Sequence, residues 1–175
     1  MSSAFSVRPQ PSEFAPFYMG YVNAVPDGSL LHTLGSAHDT TMRWLRAVPP
    51  DREDFRYAEG KWTVREVIGH IADAERVFAH RMLRFARADS TPLSAFEENA
   101  WVDMARFERR SLSELLDEWA TVRAATLALL STFDETELSR TGTASGSTVS
   151  ARGLAWIIAG HELHHVRLLR ERYGL

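Results

Sequence analysis

Apolar residues return every three to four positions in four long segments of this chain, and no segment alternates apolar and polar residues for more than a few positions. That spacing lines one face of an α-helix, so the chain is constrained to pack helix against helix. The first predicted helix runs from about Ser29 to Val48, with Leu31, Leu34, His38, Met42 and Leu45 on one face, and stops at Pro49-Pro50. The second begins at Thr63, whose side chain forms a capping box with Glu66, while Trp62 and Val67 are placed as a hydrophobic staple. It continues through Ile71, Ala74, Phe78, Met82 and Phe85 to about Ala88. A further capping box, Ser111 with Glu114, opens the third, which carries Leu115, Trp119, Val122 and Leu129 or Leu130 to about Phe133. After a Gly/Ser/Thr-rich loop, Ser139 to Val149, the fourth runs from about Ser150 to Tyr173.

Four such helices predict an all-α four-helix bundle, a single domain over residues 1–175. Residues 1–27, with four prolines and the aromatics Phe14, Phe17, Tyr18 and Tyr21, read as an arm laid on the body. The second helix spans about 39 Å at 1.5 Å per residue. The link from Asp89 to Arg110 can reach roughly 70 Å when extended, enough to cross the whole bundle. With hairpin-like turns elsewhere the order is up-down-down-up, and the second helix opposes the fourth.

The net charge of -3 gives no electrostatic reason to expect nucleic acid or an anionic membrane as partner. No apolar run approaches the length of a membrane span, and Met1 to Gln10 lacks the layout of a signal peptide, so a cytoplasmic protein is expected. There is no cysteine, which removes disulfides, thiolate ligands and a cysteine nucleophile. Any thiol in the chemistry comes from outside.

His161 and His165 stand one turn apart on the apolar stripe Leu154, Ile158, His161, His165, Leu168 of the fourth helix. Two imidazoles at i, i+4 point the same way and can share one metal ion, and a third protein ligand is then required. His70 lies roughly 10 Å from the start of the second helix and His165 roughly 11 Å from the end of the fourth. In antiparallel helices they share one level; in parallel ones His70 would face Ile157, which cannot ligate. His38 reads as a core histidine that could approach the site, His164 faces the rim, and His32 and His80 are surface residues.

The run from His161 to His165 also fits HExxH, the zinc-protease pattern. Too few residues follow it for a downstream third ligand, and no edge strand is present to hold a peptide. Glu162 is therefore expected to be solvated or to orient a ligand histidine. Asp73 and Glu75 could orient one too, or pair with Arg76, Arg81 or Arg167.

The segment Tyr57 to His70, with Gly60-Lys61-Trp62 and Gly69-His70, and the run Ala159-Gly160-His161-Glu162-Leu163-His164-His165 resemble the DinB/YfiT-like metalloenzymes over most of the chain. The resemblance implies the same up-down-down-up bundle, commonly dimeric. It implies a divalent metal, often zinc or nickel, on His70, His161 and His165. Relatives include low-molecular-weight thiol transferases, thiol-dependent isomerases and amide hydrolases.

Three neutral histidines would leave an ion an open position for water or an external thiol. The expectation is a metal-dependent thiol S-transferase or hydrolase acting on a small molecule, in a homodimer. The alternative is a non-catalytic metal-binding or stress-response protein whose ion fixes the core. An open pocket over the ion favours chemistry, and a closed shell favours structure.

Overall fold

The computed structural model describes residues 3–175; Met1 and Ser2, at the head of the expected arm, lie outside the described residues. Helix α1 is Met19–Ala24. Helix α2 covers 30–45 as Leu30–His32, a π-helical turn Thr33–Ala37, and His38–Leu45. Then follow α3 (Val64–Ala86), α4 (Glu98–Ala105), α5 (Leu112–Leu130), α6 (Glu135–Ser139), strands β1 (Thr141–Ala144) and β2 (Ser147–Ser150), and α7 (Ala151–Tyr173).

Helices α2, α3, α5 and α7 form a four-helix bundle. Both predicted capping boxes form: Thr63 accepts from the Glu66 amide and Ser111 from the Glu114 amide, with each glutamate reaching back to the cap backbone. The cap of α7 is Ser150, and Gly174 closes that helix at φ 66°, where an L side chain is strained.

Contacts fix how the helices run. The Tyr173 hydroxyl, at the end of α7, donates to the Trp62 carbonyl just before α3 at 2.7 Å. At the other end Arg140, which donates to the Ala86 carbonyl, accepts from the Ala151 amide through its own carbonyl. Helices α3 and α7 are therefore antiparallel. Helices α3 and α5 run the same way: Arg65 donates to the Arg110 carbonyl near both starts, and Arg87 lies over Phe133 near both ends. The segment between them contains α4.

Two features depart from the sequence reading. The loop expected from Ser139 to Val149 begins at the last residue of α6 and holds most of a β-hairpin, paired from Thr141↔Ser150 to Ala144↔Ser147. Its two-residue turn has Ser145 at φ 53° and Gly146 at φ 77°, the two positive angles of a type I′ turn. Leu93, in the link, exchanges hydrogen bonds with Thr143 and Ser145 and ties the link to the hairpin. The second departure is α7, which is buried on all sides from Ala151 to Glu162 rather than along one stripe. Apart from Arg152, His161 and Glu162 its sequence there is small or apolar, and the arm covers the face that a simple bundle would leave to water.

Glycine makes that cover possible. A Cβ on Gly160 would sit 2.0 Å from the Tyr21 carbonyl oxygen, a backbone atom that cannot swing aside. Gly69 does the same for the link, since a Cβ there would meet the Phe107 ring at 2.3 Å. Each glycine immediately precedes a histidine of the candidate site. Gly160→Ala is expected to push the arm off α7 and destabilise the fold by about 1–3 kcal/mol. Urea denaturation measures this, and an unchanged midpoint would show that the arm does not rest on Gly160.

Candidate metal centre

Helix α3 contributes His70 and α7 contributes His161 and His165, and the fold brings these three together. Nε2 of His161 lies 3.1 Å from Nε2 of His70 and 3.1 Å from Nε2 of His165. One ligand atom from each residue lies within 4.8 Å of the others, and all three side chains are buried. Burial drives the His70 pKa down to about 4. Burial, and then the neighbouring imidazoles, hold His161 and His165 well below their ordinary value. The three rings are neutral near pH 7, each with one lone pair to offer.

Neutral rings do not satisfy this arrangement by themselves. The single in-plane lone pair of His161 Nε2 cannot accept two well-directed hydrogen bonds. A divalent ion accepts from all three nitrogens at once. At 2.0–2.1 Å from each, tetrahedral geometry sets the nitrogens roughly 3.3 Å apart, close to the spacing found here. The donor set therefore fits zinc or a similar borderline cation.

Aromatic rings hold the imidazoles in place. Trp62 packs on His70 with ring centroids 4.6 Å apart, while Phe78 and Tyr21 meet His161 edge-on at 5.9 and 5.5 Å. His164 is half-buried against Tyr21, and His32 and His80 are exposed. A small recess, about 40 Å³, reaches His70 and His161 between the arm and the link. Its walls are Phe17, Tyr18 and Tyr21 on one side and Phe78, Phe96 and Glu98 on the other. A larger groove, about 470 Å³, lies between α3 and α5 but gathers no converging donors, so its size marks no site.

Among the described residues, none of the three carboxylates expected near the site hydrogen-bonds a ligand histidine. Asp73 pairs with Arg76 at the surface of α3. Glu162 is 2% exposed, so the expectation of a solvated side chain fails, and Glu75 is equally buried. Their shared partner is Arg123 of α5, a residue the sequence reading did not single out. Arg123 donates from Nε and Nη2 to the two oxygens of Glu75, each at 2.8 Å, and from Nη1 to Glu162 at 2.7 Å. Nη1 also reaches the Leu34 carbonyl, inside the π turn, at 2.9 Å. Trp119 Nε1 completes the Glu75 shell at 3.1 Å. Burial opposes the Arg123 charge, but Glu75 and Glu162 outweigh it and hold the guanidinium pKa above its ordinary value. Burial likewise raises the Glu162 carboxyl, and His38 and Arg123 outweigh that and leave it below its ordinary value.

His38 is a core residue but not a ligand. Its ring stands edge-on to Trp119 at 4.7 Å, with Nδ1 3.7 Å from Glu162, and among the described residues neither ring nitrogen has a hydrogen-bond partner. A signal for Arg123 was present. It falls one turn after Trp119 on the stripe that continues to Thr126 and Leu130, and a charge on an apolar stripe demands a buried counter-charge.

The family model of the DinB superfamily matches residues 33–169. The chain belongs to the DinB superfamily. Among solved structures, this DinB chain is similar to YfiT from Bacillus subtilis, described as a probable metal-dependent hydrolase with an unusual four-helix bundle topology. The two are 17% identical, with 99% of each covered and a TM-score of 0.68. It is also similar to a mycothiol-dependent maleylpyruvate isomerase: 20% identity, 83% of this chain and 61% of that one covered, TM-score 0.65. The four-helix bundle protein TT2238 is 24% identical, over 81% of this chain and 95% of its own, with a TM-score of 0.59. At these identities the likeness is one of fold. No curated protein matches by sequence. Among the described residues no helix is long and apolar enough to cross a membrane.

Proposed function

We propose that this DinB-superfamily protein is a divalent-metal-dependent enzyme acting on a small molecule, with zinc or nickel held by His70, His161 and His165. The observation that carries the reading is the recess: it opens directly onto His70 and His161, where a purely structural ion would have a closed shell. When bound, such an ion would lower the pKa of a water or thiol taking its open position. The protein's own part is to hold three neutral imidazoles, exclude bulk water with the arm and link, and seat the substrate against Tyr18, Tyr21 and Phe78.

A low-molecular-weight thiol is the co-substrate we favour, because the chain supplies no cysteine of its own. The mycothiol dependence of one structural neighbour agrees with a thiol, and the probable hydrolase role of another keeps water as the variant. Cobalt substitution tests this. Adding thiols to the cobalt form is expected to produce a charge-transfer band that is lost in His70→Ala. A spectrum indifferent to every thiol moves the reading to hydrolysis, and a metal that no small ligand reaches leaves the ion a structural role.

The reading further includes a homodimer in the cytoplasm, with no nucleic-acid or membrane partner. Among the aromatics outside the main stripes, Phe14 is buried and Tyr18 and Phe96 are half-buried, so those three cover the bundle. Phe17 and Trp101 remain exposed and available to a second copy. Light scattering at micromolar concentration is expected to give twice the chain mass; a monomer mass rules the dimer out.

A further inference from the structure

The walls of the recess carry chemistry that the triad does not use. From His161 outward the rings follow one another: Phe78 and Tyr21 against His161, Tyr18 against Phe78 at 6.2 Å and Tyr21 at 6.2 Å, and Phe17 against Tyr18 at 5.2 Å. Phe96 closes the other side. Among the lining residues the one carboxylate is Glu98, at the start of α4, and none is a lysine or arginine. Among the described residues Glu98 makes no ion pair and no hydrogen bond through its side chain. Burial raises the Tyr18 and Tyr21 hydroxyls above their ordinary pKa; Arg81 opposes this at Tyr18, and Glu98 adds to it at both. Arg81 is 3% exposed and lies behind Phe96; it acts on the Tyr18 hydroxyl and donates to the Ser94 carbonyl at 2.7 Å and the Ser145 hydroxyl at 3.1 Å, and it is not among the lining residues.

Aromatic rings and a carboxylate, with no cation among the lining residues, form an environment that stabilises an ammonium group. We propose that the recess selects small molecules bearing a positively charged ammonium group, seated among Phe17, Tyr18, Tyr21 and Phe96 and facing Glu98. For the inner end the inference rests on the metal reading. A dication on the triad repels a cation and attracts an electron-rich donor, so the preferred ligand is dipolar, with its donor end at the histidines and its ammonium at the rim. The outer end stands without the metal.

The test uses three thiols of one length: thiocholine, 2-mercaptoethanol and 2-mercaptoethanesulfonate, titrated into the cobalt form and followed by the charge-transfer band. Their thiols differ in acidity, so the quantity read is how the affinity ratio of cation to anion changes between wild type and variants. Glu98 is exposed, so its variants are expected to fold. The ratio is expected to fall roughly fivefold to tenfold in Glu98→Gln and to invert in Glu98→Lys. A ratio unchanged in both variants overturns the proposal. A second measurement covers the case in which no thiol reaches the metal. Choline and isethionate are titrated into the purified protein, with amide chemical shifts recorded. Choline is expected to shift the signals of Tyr18, Tyr21 and Glu98, less so in Glu98→Lys, and isethionate is not. Choline shifts with a silent cobalt spectrum would sink the thiol reading alone, and no choline shifts would sink this inference alone.

Discussion

His161→Ala is expected to leave the purified protein with less than about a tenth of an ion per chain, where wild type holds one. His161 is the middle member of the triad: its Nε2 is the atom that both His70 and His165 approach. Without it, two nitrogens on different helices remain, below the three that a protein zinc site uses. Elemental analysis after dialysis measures the loss, with His80→Ala, an exposed histidine outside the triad, as the control that keeps its metal. The same ion should stabilise the fold, because it binds the native state and finds no assembled site in the unfolded chain. At a thousand times the dissociation constant, that is about 4 kcal/mol. A chelator should therefore lower the wild-type melting temperature and leave that of His161→Ala unmoved. Full metal content in the variant would overturn the ligand assignment.

The second large effect lies deeper in the core. Arg123→Met is expected to destabilise the protein by about 3–5 kcal/mol, because it strands the buried carboxylates of Glu75 and Glu162 without their counter-charge. For a chain of this size that lowers the melting temperature by roughly 6–20 °C. The sign of the pH dependence separates this from lost packing. Stranded carboxylates have folded pKa values above their unfolded ones, so the penalty is full at neutral pH and shrinks as the pH falls through the raised values. The deficit against wild type should be smaller at pH 5 than at pH 7.5. Adding Glu75→Gln and Glu162→Gln should recover much of the loss, since no buried charge then remains. An equal deficit at both pH values would show that Arg123 acts through its bulk.

The geometry explains why this cluster matters to the site. Arg123 stands on a helix that supplies no ligand, yet it grips one carboxylate on each helix that does, five residues after His70 and one after His161. One guanidinium thus ties together the two helices whose spacing sets the triad.

The residues legible in the sequence were those whose role depends on near neighbours along the chain. Thr63 with Glu66 and Ser111 with Glu114 announce helix starts because a cap and its partner are three residues apart. His161 and His165 announce a shared direction because the helix repeats every 3.6 residues. His70 required one further step, a comparison of depths along two helices. The Ser145-Gly146 turn was a local signal too, but four-residue strands are too short to show alternation. Glu162 was not legible. Its angle on α7 can be drawn from sequence, but whether that angle meets water depends on α2 and α5, which lie far away along the chain. The two glycines gave the same trouble: their places were visible, but not what would lie against them.

The sequence alone therefore determined four helices, two of them opened by capping boxes, and the shared direction of His161 and His165, because hydrogen bonding and side-chain direction within a helix are local. Tertiary structure decided which charges are buried, that Arg123 joins Glu75 to Glu162, and that the arm and link leave a recess over His70 and His161. Those outcomes are set by burial, and burial depends on which distant segments exclude water from a side chain.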